Sequence, residues 1–450
     1  MEFTVTTQAD FKHAVRQRMK KTGERYTAAR AMLLQSANRA NSTSPSIKGL
    51  FRGYASFGGI CRDTGALRNT LAAAGITAPH TGQPCSEALV SGLCGGVGFL
   101  YAVFEYKGMP PLLSVMCRFD TMPDSYIAGG IERLGLKVKT SETASATTAR
   151  KALDAAIADE RPALCVVDCV GLAAGDEGPM KMCGMAPTVV AVAGADGDDL
   201  LIDDGGVTPR RMSFEQFSRA RALYKKAKNR LITIETAPQS LDPTAPVRAA
   251  VSATADRYFN APYKGFASNF GFAGLEKWQR LLTDAKDKKG WPALFGEGKT
   301  AYLALRRTYD GIEHEFTAPA AGRPLYADFL GEAAAITGDK HYARAADAYR
   351  RAGEGWQALT DTIAACGDPA VEQGCALGDS ARELFDEADC PRRSEAETIA
   401  RERITLAQSC TLSKDRAAEI FSQLAERLSE IIAIEREAVS VLQSRVGRDS

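Results

Sequence analysis

Histidine is scarce in this chain of 450 residues. There are four, His13, His80, His314 and His341, set against eleven cysteines that form no CxxC pair. So few imidazoles and so scattered a set of thiols give a zinc site little support, and neither a metal nor a cofactor is expected. Net charge is also nearly absent, at +1, which removes any overall pull toward nucleic acid. Long apolar runs are missing too. The longest uncharged stretch, 88–104, is too short and too glycine-rich to span a bilayer, so no membrane partner is expected. Residues 1–10 lack the basic-then-apolar order of an export signal. Free thiols in a reducing cytoplasm follow, with a disulfide among Cys366, Cys375, Cys390 and Cys410 as the alternative.

What remains is an ordinary globular composition, 45% apolar and 25% charged, long enough for two or three domains. Residues 1–52 hold ten Lys/Arg against three acids, with Phe11, Val15 and Met19 at helical spacing. That segment reads either as a docking arm for an anionic partner or as a solvated helical hairpin. Residues 41–46 are Ser/Thr/Asn/Pro-rich and read as a linker, as does the Pro-rich stretch 237–246. The division is 1–47 (basic extension and linker), 48–237 (first domain), 247–365 (helical domain) and 366–450 (helical extension).

The most informative stretch runs from Gly58 to Phe104. A Gly58-Gly59 turn delivers Cys61 to the head of a helix carrying Ala66, Leu67, Thr70 and Leu71 on one side. A thiol there meets backbone N–H groups and the positive end of the helix dipole, which favour thiolate; the other reading is a small apolar plug. Ser86-Glu87 then heads an apolar helix, Ser86 as cap and Glu87 as a dipole-compensating acid. Gly92, Gly95, Gly96 and Gly98 let another backbone come close.

Downstream, 101–106 and 112–117 pattern as a hairpin, followed by helix 125–136, strand 137–139 and helix 144–158. A buried strand, 163–168, ends in Asp168. Strands 188–192 and 199–203 pair through a Gly-Asp turn, Ser213 caps a helix, and 231–235 closes the sheet. Helices first and then mostly antiparallel strands give an α+β domain. After residue 246 the pattern is helical, with capping boxes at Ser380/Glu383 and Ser394/Glu397. From 413 to 446 a heptad-like stripe of Ile420, Leu424, Leu428, Ile431, Ala438 and Leu442 is interrupted once, by Glu435. It packs on a neighbouring helix or on a second copy as a homodimer.

The Cys61-Arg62-Asp63-Thr64-Gly65-Ala66-Leu67-Arg68-Asn69 helix head, followed by Ser86-Glu87-Ala88-Leu89 and a Gly-rich apolar segment, resembles the N-terminal domain of the butirosin-biosynthesis protein H family. The resemblance extends to its second, helical domain of unknown function through Gly271-x-x-Gly274-x-x-x-Trp278, Arg323-x-x-Tyr326-x-x-Phe329-Leu330-x-Glu332-Ala333 and Trp356. It implies a papain-like N-terminal domain followed by a mainly α-helical C-terminal domain. It also implies transfer of an acyl group from a carrier-protein thioester to an amine, so an acyl-carrier protein or a small-molecule amine is the implied partner. The family pattern has an Asp ending the strand that matches 164–168, a His opening the one that matches 188–192, and an Asp ending the one that matches 199–204. Carried over, Cys61 is the nucleophile and Asp204 (or its neighbour Asp203) the acid, with Glu87, Asp168 and Thr188 lining the pocket. Arg323 contacts substrate or pairs within the bundle.

Thr188 stands where the His belongs, and no Gln lies among residues 51–60 to serve as a side-chain oxyanion donor. A Cys–His pair supplies a general acid–base contribution of roughly 10²–10⁴-fold that threonine cannot replace. His80, close in sequence to Cys85-Ser86-Glu87, is the one imidazole near enough in the chain to swing toward Cys61. Two functions follow: an acyltransferase-like protein or amide hydrolase with Cys61 as acyl acceptor, passing the acyl group to an amine or to water, or a catalytically inactive papain-like binding module or scaffold.

Overall fold

The computed structural model describes residues 14–19, 21, 29, 33, 47–120, 122–173, 187–236, 242–385 and 393–446. Most of the basic arm, the linker at 41–46 and residues 237–241 lie outside that set. Of the expected apolar stripe on the arm, Val15 is buried in a helical stretch, 14–19.

In chain order the elements are α1 (Arg62–Ala73), β1 (Thr77–Ala78), β2 (Gln83–Pro84), α2 (Glu87–Cys94), β3 (Leu100–Phe104), β4 (Leu112–Met116), α3 (Pro123–Arg133), β5 (Lys137–Ser141), α4 (Ala146–Ala158), β6 (Ala163–Asp168), α5 (Cys169–Ala173), β7 (Pro187–Asp196), β8 (Asp199–Asp203), β9 (Arg210–Ser213), α6 (Phe214–Leu223) and β10 (Leu231–Thr236). Helices follow: α7 (Thr244–Arg257), α8 (Gly271–Thr283), α9 (Trp291–Leu294), α10 (Gly298–Glu313), α11 (Arg323–Thr337), α12 (Lys340–Ala364), α13 (Pro369–Phe385), α14 (Arg393–Ser409) and α15 (Lys414–Val446). With sheets in the first half and helices in the second, the class is α+β. The chain forms two units, one of Met1–Val90, Met122–Pro243 and Ala381–Thr398, the other of Ser91–Thr121, Thr244–Ser380 and Ile399–Ser450.

The first unit is built on a six-stranded antiparallel sheet of order β5-β10-β6-β7-β8-β9. β10, expected to close the sheet, lies inside it between β5 and β6. Its apolar Leu231 and Ile232 are buried, and an interior position gives both edges of its backbone a partner. One face carries Ala163, Cys165, Val167, Val190, Val192, Leu200 and Ile202, packed under Leu153 of α4, Leu172 of α5 and Phe217 of α6. Strand alternation sends Leu164, Val166, Val189, Ala191 and Leu201 to the opposite face, and α1 packs against β7 and β6. Every residue of α1 from Asp63 to Leu71 is buried, so the one-sided stripe expected there understates how deep this helix sits. Ser145 and Ser213 cap α4 and α6 through their hydroxyls.

The second unit is helical, with the β3–β4 hairpin inside it rather than in the sheet unit. The reason is aromatic. Phe99 and Tyr101 stack on Trp278, Trp291 donates to the Tyr101 hydroxyl at 3.0 Å, and Leu100 bridges to Phe270. Gly92 and Gly96 admit aromatic rings rather than another backbone, whereas Gly98 lies against both the ring and the backbone N of Phe119. A Cβ on Gly92 would lie 2.2 Å from the Phe329 ring, and one on Gly96 would lie 2.4 Å from Tyr326. The stripe on α15 is buried within the unit against α12 and α8. The helix expected to begin at Ser380 begins at Pro369 instead. Asp368 accepts from the Ala370 and Val371 amides, and proline suits the first helical turn. α14 starts at Arg393, beside the second expected box.

Candidate functional site

Cys61 is the N-cap residue of α1, extended at φ −114° and ψ 131° after a turn in which Gly58 takes φ +71°. The turn sits tightly on the helix. A Cβ on Gly65 would lie 2.7 Å from the Gly59 Cα, so only glycine fits there. Cys61 is 7% exposed.

The atoms around it are arranged by charge. The Glu87 carboxylate, in the first turn of α2, accepts the Ile60 N–H on Oε2 at 2.8 Å. Its Oε1 accepts the Cys61 N–H at 2.8 Å and the Thr64 hydroxyl at 3.0 Å. The carbonyls of the same turn face guanidinium groups. Arg68 donates to Gly58 O at 2.8 Å, and Arg382 donates to Gly59 O and Ile60 O at 3.2 Å each. Glu87 is 2% exposed. Burial pushes its carboxyl upward, while Arg68 and the two amides pull it back toward the ionised form. The helix head therefore does favour an anion, but that anion is Glu87. The sulfur donates to Asp63 Oδ1 at 3.1 Å, a bond that only the protonated thiol can make.

The acid on the α1 side of the sheet is Asp203. It lies opposite Ala191 in the β7–β8 register and accepts from Asn69 Nδ2 and the Tyr54 hydroxyl, both at 2.7 Å, and from the Gly205 N–H at 3.0 Å. Burial pushes its carboxyl up. Asp204 pairs instead with Arg210, Oδ2 to Nη2 at 2.6 Å.

A second thiol gathers the remaining expected residues. Cys169 opens α5 directly after Asp168. Arg62 Nη1 donates to its sulfur at 3.4 Å, and Thr188 hydrogen-bonds to it. Burial pushes this thiol up, Arg62 pulls it down, and the charges of Asp168 and Asp204 push it up again. Asp168 also accepts the Gly171 N–H at 3.1 Å. Thus Cys61 and Glu87 meet at the head of α1, Asp168, Thr188 and Asp204 meet around Cys169, and Arg62 runs from the first group to the second. The sequence gives Cys169 one signal as a site residue, its place next to Asp168 at the end of a buried strand.

Arg323 belongs to the second unit and is fully buried. It forms a two-point pair with Glu435, Nε to Oε1 at 2.7 Å and Nη2 to Oε2 at 3.0 Å. Of the histidines, His80 is exposed in the β1–β2 loop, while His314 and His341 lie beside Asp379 and Asp339 in the second unit. Among the described residues no group of three or more His, Cys, Asp or Glu side chains could hold a metal ion.

The family model for the N-terminal part of butirosin biosynthesis protein H matches residues 61–205, from Cys61 to the turn after β8. A model described as a domain of unknown function, DUF4872, matches residues 215–389. In that order they reproduce the architecture of the butirosin-H family, and the chain belongs to it. No curated protein matches the chain.

Proposed function

We propose that this chain is a butirosin-H-type binding protein, papain-like in its sheet unit, that keeps the acyl-transfer site but holds a ligand there rather than turning it over. One observation carries the reading: the Cys61 N–H is bound to Glu87 at 2.8 Å while its sulfur lies 3.1 Å from Asp63. When a thiolate attacks a thioester carbonyl, the nearest donor to the developing oxyanion is the nucleophile's own N–H. Loss of one such donor costs roughly 10²–10³-fold, and loss of an imidazole base roughly 10²–10⁴-fold. Position 188 carries no imidazole. The ligand is an acyl group on a carrier protein or the amine that would receive it. Nine of the described cysteines carry a thiol rather than a disulfide, which supports a reducing cytoplasm. Among those residues no helix is long and apolar enough to cross a membrane.

The family match favours a second reading, acyl transfer through Cys61. A Sγ–acyl bond forms as the donor's C–S bond breaks and the donor thiol leaves with a proton; an amine nitrogen then takes the acyl group and returns the proton to Sγ. Incubation with an acyl thioester and an amine separates the two. The binding reading expects saturable thioester binding with turnover equal in wild type and Cys61→Ser. Turnover above background that Cys61→Ser abolishes overturns it in favour of the transferase.

A further inference from the structure

Glu87 does more than head a helix. Its carboxylate fills the place at the head of α1 where two successive amides, Ile60 and Cys61, point at one anion. The Thr64 hydroxyl, one turn into α1, completes the shell. α1 is twelve residues long, so the positive end of its dipole acts on the same spot. Arg68 balances the charge from within the fold. A ligand carbonyl bonded to Cys61 would need its oxygen in this same place.

We infer that Glu87 is a built-in occupant of the oxyanion position at Cys61, a positioning residue whose negative charge holds the neighbouring thiol in its unreactive form. The inference rests on the reading of Cys61 as a retained site, and it adds to the empty base position and to Asp63, 3.1 Å from the sulfur, a further reason for its quiescence: a second internal carboxylate, on the Cys61 amide. Restoring an imidazole at position 188 alone would leave the oxyanion place filled.

Charge is what distinguishes this role from simple capping. A cap of any charge would hold the turn, but only a carboxylate would oppose a second anion beside it. Glu87→Gln keeps the volume and one acceptor oxygen and removes the charge. The reporter is alkylation of Cys61 by iodoacetamide, in which the sulfur displaces iodide at a rate set by the thiolate fraction. It is followed against pH with the modified residue mapped by mass spectrometry and Cys61→Ser as blank. In Glu87→Gln the midpoint of the profile is expected to fall by about one pH unit, and the rate at pH 7 to rise about tenfold. A variant that folds as wild type and alkylates with the wild-type midpoint overturns the inference.

Should Glu87→Gln not fold, the wild-type protein labelled with ¹⁵N-cysteine answers the same question. The Cys61 amide is expected to be protected from solvent exchange and to shift only as one carboxyl titrates. A Cys61 amide that exchanges as a free one and follows no carboxyl overturns the inference. Neither readout depends on turnover. Cys61-dependent transfer by the wild type would end the binding reading, while an unmoved midpoint ends only the role given to Glu87.

Discussion

Glu87 and Asp203 are both buried carboxyls of the sheet unit, each is held by three donors, and burial pushes both upward. Arg68 pulls Glu87 back toward the ionised form, while the charge of Asp204 pushes Asp203 further up. Asp203 gives the cleaner test because its donors, Asn69, Tyr54 and the Gly205 amide, leave Cys61 out. A carboxyl raised in the folded state binds its proton more tightly there than in the unfolded chain. Its contribution is therefore whole below the ordinary carboxylate range, near pH 4, and is lost as pH rises through the folded-state value. Asp203→Asn removes this dependence while costing about 1–3 kcal/mol for the Gly205 amide left without its acceptor. Urea midpoints at pH 4 and pH 7 should show the gap between wild type and Asp203→Asn narrowing as pH rises. A gap that widens would mean Asp203 is held in the ionised form.

At the scale of elements, α15 is tied down by the one residue that breaks its apolar stripe. Glu435 is fully buried and accepts from Arg323, Tyr258 and Trp356, at 2.7–3.0 Å. Arg323 spends its other donors on the carbonyls of Gly98, Cys117 and Ala321. One buried ion pair thus ties together the hairpin end, Tyr258 just after α7, α11, α12 and α15 within the helical unit. Removing one partner strands the other: Arg323→Met is expected to cost about 3–5 kcal/mol in a urea titration. The double variant Arg323→Met, Glu435→Leu should recover a large part of that loss, because no unpaired charge remains. Additive losses in the double variant would show that the pair acts through packing alone.

At the scale of the molecule, all three tryptophans, Trp278, Trp291 and Trp356, lie in the core of the helical unit, and α15 covers two of them. Phe421 meets the Trp291 ring edge-on at 5.0 Å, and Glu435 accepts from Trp356. Deleting residues 414–450 should therefore shift tryptophan emission to the red and abolish the cooperative loss of that signal in denaturant. Unchanged emission would place α15 outside the core.

Much of this was readable from local pattern. Continuous apolar runs marked β6 and β7, Ser213 marked a helix start, and Cys61 and Glu87 stood out by type and position. The residue types along the chain determined the α+β class, the order of elements and the family. Tertiary packing alone decided which polar groups face one another. Residues 26 positions apart, Cys61 and Glu87, are joined by a hydrogen bond, and Arg323 meets Glu435 across 112 positions. Propensity and spacing act over a few residues, whereas burial forces each polar group to take whatever partner the folded chain brings within 3 Å. So the sequence could nominate a thiol, but only the fold put a carboxylate on its amide.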